Sequence, residues 1–149
     1  MKKLNNKGFT LVELLAVIII LAIVVGITIP AVLTTVDKSR NQAFETAADT
    51  AADWLDRQYQ SYLIGDETLS AVDQAYKDQC VKTDADGNFV FNCVASSDAL
   101  IRAAGLKTEN VSKLTATFSE GRYCVTLVAK AKGDYDPNNE GKTAQGGNC

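Results

Sequence analysis

Residues 7–30 read KGFTLVELLAVIIILAIVVGITIP, and the organisation of the whole chain follows from them. Residues 9–29 hold one ionisable side chain, Glu13. As a helix they extend ~31 Å at ~1.5 Å per residue, which matches a hydrocarbon core of ~30 Å. The eight residues before them, MKKLNNKG, carry Lys2, Lys3 and Lys7. Lysines on that side keep the N-terminus cytoplasmic and send the rest of the chain across. One crossing, N-terminus in, is the expectation.

An ordinary secretory signal peptide would explain the basic start, but this apolar run is longer than a usual h-region and no convincing A-x-A site follows it. A plain signal anchor would explain the length. Neither explains Glu13, because a carboxylate at the centre of a bilayer costs ~2.5–3.5 kcal/mol on insertion scales, and less near the interface. A cut between Gly8 and Phe9 removes the difficulty. It creates an ammonium group on Phe9, four residues before Glu13 and on the same helix face. The helix N-terminus itself also favours a negative group. In a bundle, the amine of one subunit could instead neutralise the Glu13 of its neighbour and so set the axial register of the helices.

The run Lys7-Gly8-Phe9-Thr10-Leu11-Val12-Glu13 resembles the processing motif of type IV pilins and pseudopilins. That resemblance covers about residues 2–36. It implies cleavage after Gly8 by a membrane prepilin peptidase, N-methylation of Phe9, and an assembly role for Glu13. It also implies an α+β pilin-like fold: a long N-terminal helix packed against a small antiparallel sheet, with a disulfide-closed C-terminal loop. Pro30 falls where many members carry a helix proline. The helix glycine is Gly26, whereas members often have one near Ala22, and the second proline many have near Thr50 is absent. Gly26 through Pro30 is therefore the expected place for the helix to loosen, since Gly weakens a helix and Pro removes a backbone hydrogen bond.

Past Pro30 the pattern turns amphipathic. Phe44, Ala48, Ala51, Leu55, Tyr59 and Tyr62 follow helical spacing, with charged residues on the other sides. No proline intervenes before Gly65, a helix stop, so one helix is expected from about Thr10 to Ile64. The expected parts are a leader over residues 1–8, a membrane or filament-core helix over 9–29, its amphipathic continuation over 30–64, and a globular head over 65–149. Within the head we expect short helices at 69–79, capped by Thr68, and at 98–104, capped by Ser97. Strands are expected at 88–94, 112–118 and 122–131, the last two joined by the Glu120-Gly121 hairpin signal. From Gly133 onward the composition is that of a loop.

The four cysteines are Cys80, Cys93, Cys124 and Cys149, none in a C-x-x-C pair. An even number on the exported side fits two disulfides. Three pairings are possible, and locality favours Cys80–Cys93 with Cys124–Cys149, about 3–3.5 kcal/mol each in the chain-entropy model. The resemblance also implies a disulfide-closed C-terminal loop, on the filament surface. Two acidic clusters are weak calcium candidates. Asp84 and Asp86 form part of an EF-hand-like run with its glycine misplaced and no bidentate glutamate. Asp134 and Asp136 lie near Asn138, Asn139 and Glu140. Solvated turns rich in Asx residues are the better reading of both, so no metal or other cofactor is expected.

The chain has no histidine, which removes the commonest general base and metal ligand. A membrane-tethered extracellular enzyme or binding module is a second alternative, though no pocket-forming constellation points to one. Without the three leader lysines, 12 basic groups face 18 acidic ones, so general nucleic-acid binding is not expected. The expected function is a type IV pilus subunit serving adhesion, motility or DNA uptake, with a pseudopilin of a secretion or competence system as the alternative. Its expected partners are further copies of itself, the prepilin peptidase, and an assembly platform with minor pilins. It would reside in the membrane before assembly and outside the cell after it.

Overall fold

The computed structural model describes residues 9–65, 73–95 and 97–149. Two compact units divide the chain, residues 1–39 and residues 40–149. Helix α1 (Leu11–Ile64) contributes its first part to one and its second part to the other.

In the first unit α1 is assigned as helix through Gly26 and Pro30 without a break. All of residues 9–29 are exposed, including Phe9, Leu11, Ile18 and Ile27. This is the one described helix long and apolar enough to cross a membrane. Among the described residues, the apolar side chains of 9–29 find no burial.

The second unit holds the core. The α1 stripe Phe44, Ala48, Ala51, Ala52 and Leu55 is buried there, with Tyr59 and Tyr62 partly buried beside it. Three of those five residues are alanines, so the sheet can come close to the helix backbone. After α1 come α2 (Gln74–Cys80), β1 (Lys82–Thr83), β2 (Phe89–Val90), β3 (Cys93–Ala95), α3 (Asp98–Ala103), β4 (Val111–Ser119), β5 (Arg122–Ala129) and β6 (Thr143–Gly147). Strands β1 and β2 form a hairpin, and an antiparallel sheet runs in the order β3-β4-β5-β6. The architecture is α+β. Tyr123, Val125, Leu127 and Ala129 alternate inward along β5. On β4 a register irregularity between Val111 and Lys113 lets both Val111 and Leu114 face inward, three residues apart.

Disulfides join Cys80 to Cys93 and Cys124 to Cys149. The first ties the end of α2 to β3, and the second ties the C-terminus to β5. Tyr76 and Tyr123 meet in the core with hydroxyl oxygens 2.9 Å apart, so each buried phenol has a partner. Burial pushes the Tyr76 hydroxyl up to about 12, and burial also raises Tyr123.

Several local expectations need correction. The helix expected over 69–79 begins at Gln74, because Asp73 caps it: the Asp73 carboxylate accepts the Ala75 N–H at 2.7 Å. The proposed cap Thr68 and start Leu69 lie outside the described residues. The strand expected over 88–94 is two strands. Between them the Asn92 side chain accepts the Phe118 N–H at 2.8 Å, standing in for a ladder bond. Strand β5 stops at Ala129, as Lys130 donates its N–H to the Asn110 carbonyl. The largest departure is β6, a strand within the segment expected to be loop.

Glycines explain β6. A Cβ on Gly146 would overlap the backbone of Ala48 and Asp49, and one on Gly147 would overlap the Tyr123 carbonyl. Gly147 also has φ +84°, and its N–H donates to the Asp49 carboxylate at 3.0 Å. Bare backbone thus packs against an alanine face of α1. Gly146→Ala is expected to destabilise the folded head by about 1–3 kcal/mol through overpacking, read as a lower urea midpoint. Gly87→Ala, where nothing lies within 4 Å and only the positive φ is penalised, is expected to cost less, about 1 kcal/mol.

Candidate functional site

The start of α1 concentrates the chemistry of the first unit. Thr10 precedes the first helical residue, and Glu13 is the third residue of the helix. The Glu13 carboxylate accepts the Thr10 N–H at 2.8 Å and the Thr10 hydroxyl at 2.8 Å. In return the Glu13 N–H approaches the Thr10 hydroxyl oxygen at 3.3 Å. This is a reciprocal capping box. The N-terminal N–H groups of a helix have no intrahelical acceptor, and here side chains supply one. The signal is present in the sequence as Thr10-Leu11-Val12-Glu13, a T-x-x-E ahead of an apolar run, and it adds Thr10 to the residues expected to act on Glu13.

Among the described residues, Thr10 holds Glu13 without any cation. Gly8 lies outside the described residues. Gly26 is open, with nothing within 4 Å of where its Cβ would be. The residue at position 30 is helical by backbone assignment.

The acidic residues singled out in the sequence are engaged in loop hydrogen bonds. Asp84 accepts the N–H groups of Asp86 at 3.0 Å and Asn88 at 2.8 Å, shaping the β1–β2 turn. The Asn88 bond foremost holds its carboxyl below the usual range. Asp134 accepts the Asn110 side-chain amide at 2.8 Å and donates its own N–H to the Asn110 oxygen at 3.1 Å. Asp136 is 1% exposed. Its two oxygens take the N–H of Glu140 at 2.7 Å, of Gly141 at 2.8 Å and of Lys142 at 3.4 Å. The Glu140 N–H is the leading cause of its lowered pKa. Among the described residues no group of three or more Asp, Glu, Cys or His is arranged to hold a metal ion. Asp84 and Asp136 already accept several N–H groups each, which reads them as loop clamps.

These clamps order the segment before β6. Tyr135 stacks on Phe44 with ring centroids 4.7 Å apart, and Lys142 reaches Glu140 at 3.5 Å and the Asn41 side chain at 3.3 Å. The stretch from Gly133 to Cys149 is therefore tied to α1 and β5 along its length, and the disulfide closes an already structured tail.

Two outcomes are expected. Thr10→Ala removes a cap of about 1 kcal/mol, so the full chain in detergent micelles should exchange the Glu13 and Leu14 amides roughly fivefold faster, with Thr10→Ser near the parent. Asp136 has a lowered folded pKa, so its contribution is present above the unfolded value near ~3.9 and is lost as pH falls through the folded value. Asp136→Asn should therefore lower stability at neutral pH, and should flatten the loss of stability that the parent shows below about pH 4.

A family model described as the prokaryotic N-terminal methylation motif matches residues 3–29. No curated protein and no solved structure gives a significant match. The chain carries the N-terminal methylation motif, a class III signal peptide, typical of type IV pilins and pseudopilins.

Proposed function

We propose that this chain is a structural subunit of a type IV pilus. Prepilin peptidase cuts between Gly8 and Phe9 and methylates Phe9, which frees residues 1–8. The subunit waits in the cytoplasmic membrane with its N-terminus inside, anchored by residues 9–29. An assembly platform with minor pilins then moves it into a helical filament outside the cell, held together by packing of the N-terminal helices. The observation that carries this reading is the methylation motif sitting directly on an apolar helix whose side chains are all exposed from residue 9 to residue 29. An apolar surface of this extent must be covered by lipid or by other copies. The subunit has no catalytic role.

Glu13 makes the passage from lipid to filament specific. Thr10 supplies neutral donors before processing, and the amine of Phe9 becomes available after it. In a filament core, where water is scarce, an ammonium–carboxylate pair is far stronger than in water. Gly26 and Pro30 are where the helix gives way on packing. A calcium-binding C-terminal loop would favour a pseudopilin, but Asp136 already accepts three backbone N–H groups. A C-terminal tail closed by Cys124–Cys149 supports the surface-exposed head of a pilus.

Replacing Glu13 by Ala is expected to leave processing intact and to reduce sheared surface fibres by at least about tenfold. Replacing Gly8 by Val should leave the leader attached, seen by mass spectrometry of the membrane-bound chain. Normal fibre yield from the Glu13 variant would overturn the role given to that carboxylate. Long fibres containing this chain, seen by electron microscopy, are expected; their absence alongside a short secretion piston would favour the pseudopilin.

A further inference from the structure

In the head, α1 and the β4–β5 turn enclose an open groove of ≈ 420 Å³, lined by Asp56, Arg57, Gln60, Ser61 and Ile64 of α1 and by Arg122 across from them. Asp56 accepts the Tyr123 N–H at 2.8 Å, which ties α1 to β5 beside the groove. Glu120 and Gly121 take φ values of 53° and 82°, which hold the turn that presents Arg122. Arg57 and Arg122 are both exposed, and neither guanidinium has a hydrogen bond or ion pair among the described residues. The described ion pairs lie elsewhere, at Lys107–Glu109 and Lys142–Glu140.

Two guanidinium groups on one groove, both unpaired among the described residues, suit a planar oxyanion, since each offers a fork of donors matched to a carboxylate. The other lining groups decide which anion fits. Asp56 is an acceptor that repels a phosphate dianion but welcomes a hydroxyl. Gln60 and Ser61 offer both donors and acceptors. Ile64 supplies an apolar edge. A surface with an excess of acidic groups opposes a long polyanion such as a nucleic acid, whereas a short sugar with one or two carboxylates meets far less opposition. We propose that this groove binds an acidic sugar. Its carboxylate sits on Arg57 and Arg122, its hydroxyls on Asp56, Gln60 and Ser61, and its C–H face against Ile64. The site belongs to the folded head and does not depend on filament assembly.

Titration of the full chain in detergent micelles with digalacturonic acid tests this, with the neutral digalactose and inorganic phosphate as comparisons, read by calorimetry. Digalacturonic acid is expected to bind with Kd on the order of 1 mM or tighter. Arg57→Gln and Arg122→Gln should each weaken it by about tenfold or more, with unchanged circular dichroism. Digalactose and phosphate should each bind at least about tenfold more weakly. No binding of digalacturonic acid, or binding untouched by both arginine substitutions, overturns the proposal. Equal affinity for phosphate reduces the site to a simple anion patch, and equal affinity for digalactose removes the role of the carboxylate; either result also overturns it.

Discussion

A lone carboxylate at the head of an apolar helix must find hydrogen-bond donors wherever the helix goes. Water supplies them at no cost, lipid supplies none, and a packed bundle supplies only what its members bring. In this chain the first donors are local: Thr10 offers a backbone N–H and a hydroxyl to the same Glu13 oxygen. That arrangement lowers the cost of keeping a carboxylate near a membrane interface, because the charge is partly satisfied by neutral groups and by the helix terminus. It does not neutralise the charge. A cation does that better in a dry environment, and the proposed cut before Phe9 would make one. On that proposal the same acid is tolerable before assembly and more strongly held after it.

The head solves a different constraint. Its core is small, and it gains stability by close approach more than by bulk. Alanines at 48 and 52 on α1 meet glycines at 146 and 147 on β6, so the last strand lies directly on helix backbone. Asp49 and Asp136 then satisfy N–H groups of that segment. The Cys124–Cys149 bridge closes what these contacts have already ordered. The tail is accordingly a built part of the fold, and it depends on α1 for its seat.

Much of this was legible in the sequence wherever the signal was local. The KGFTLVE run, the membrane-length apolar stretch and the stripe from Phe44 to Tyr62 are consecutive patterns, and they fixed α1 to within one residue at its start. Strands β4 and β5 showed themselves by alternation and by the Glu120-Gly121 turn. Strand β6 did not, because Thr143-Ala144-Gln145-Gly146-Gly147 lacks the branched and aromatic residues that mark strands. Its glycines answer to a helix about a hundred residues away. Asn92 could not announce that it would interrupt a strand by bonding to Phe118. Asp136 looked like a calcium candidate because composition records a carboxylate but not the N–H groups pointing at it. Thr10 was readable as half of a capping box and was overlooked beside the more conspicuous Glu13.

The account stands or falls on where the Glu13 carboxylate goes in the assembled state. A reconstruction of fibres formed by this chain, at a resolution that separates side chains, locates it directly. The expected map places Glu13 within about 4 Å of the free amine of Phe9, in its own subunit or a neighbour, with no density for the eight preceding residues. Fibres in which those residues remain attached, or in which Glu13 faces only apolar side chains, would contradict it.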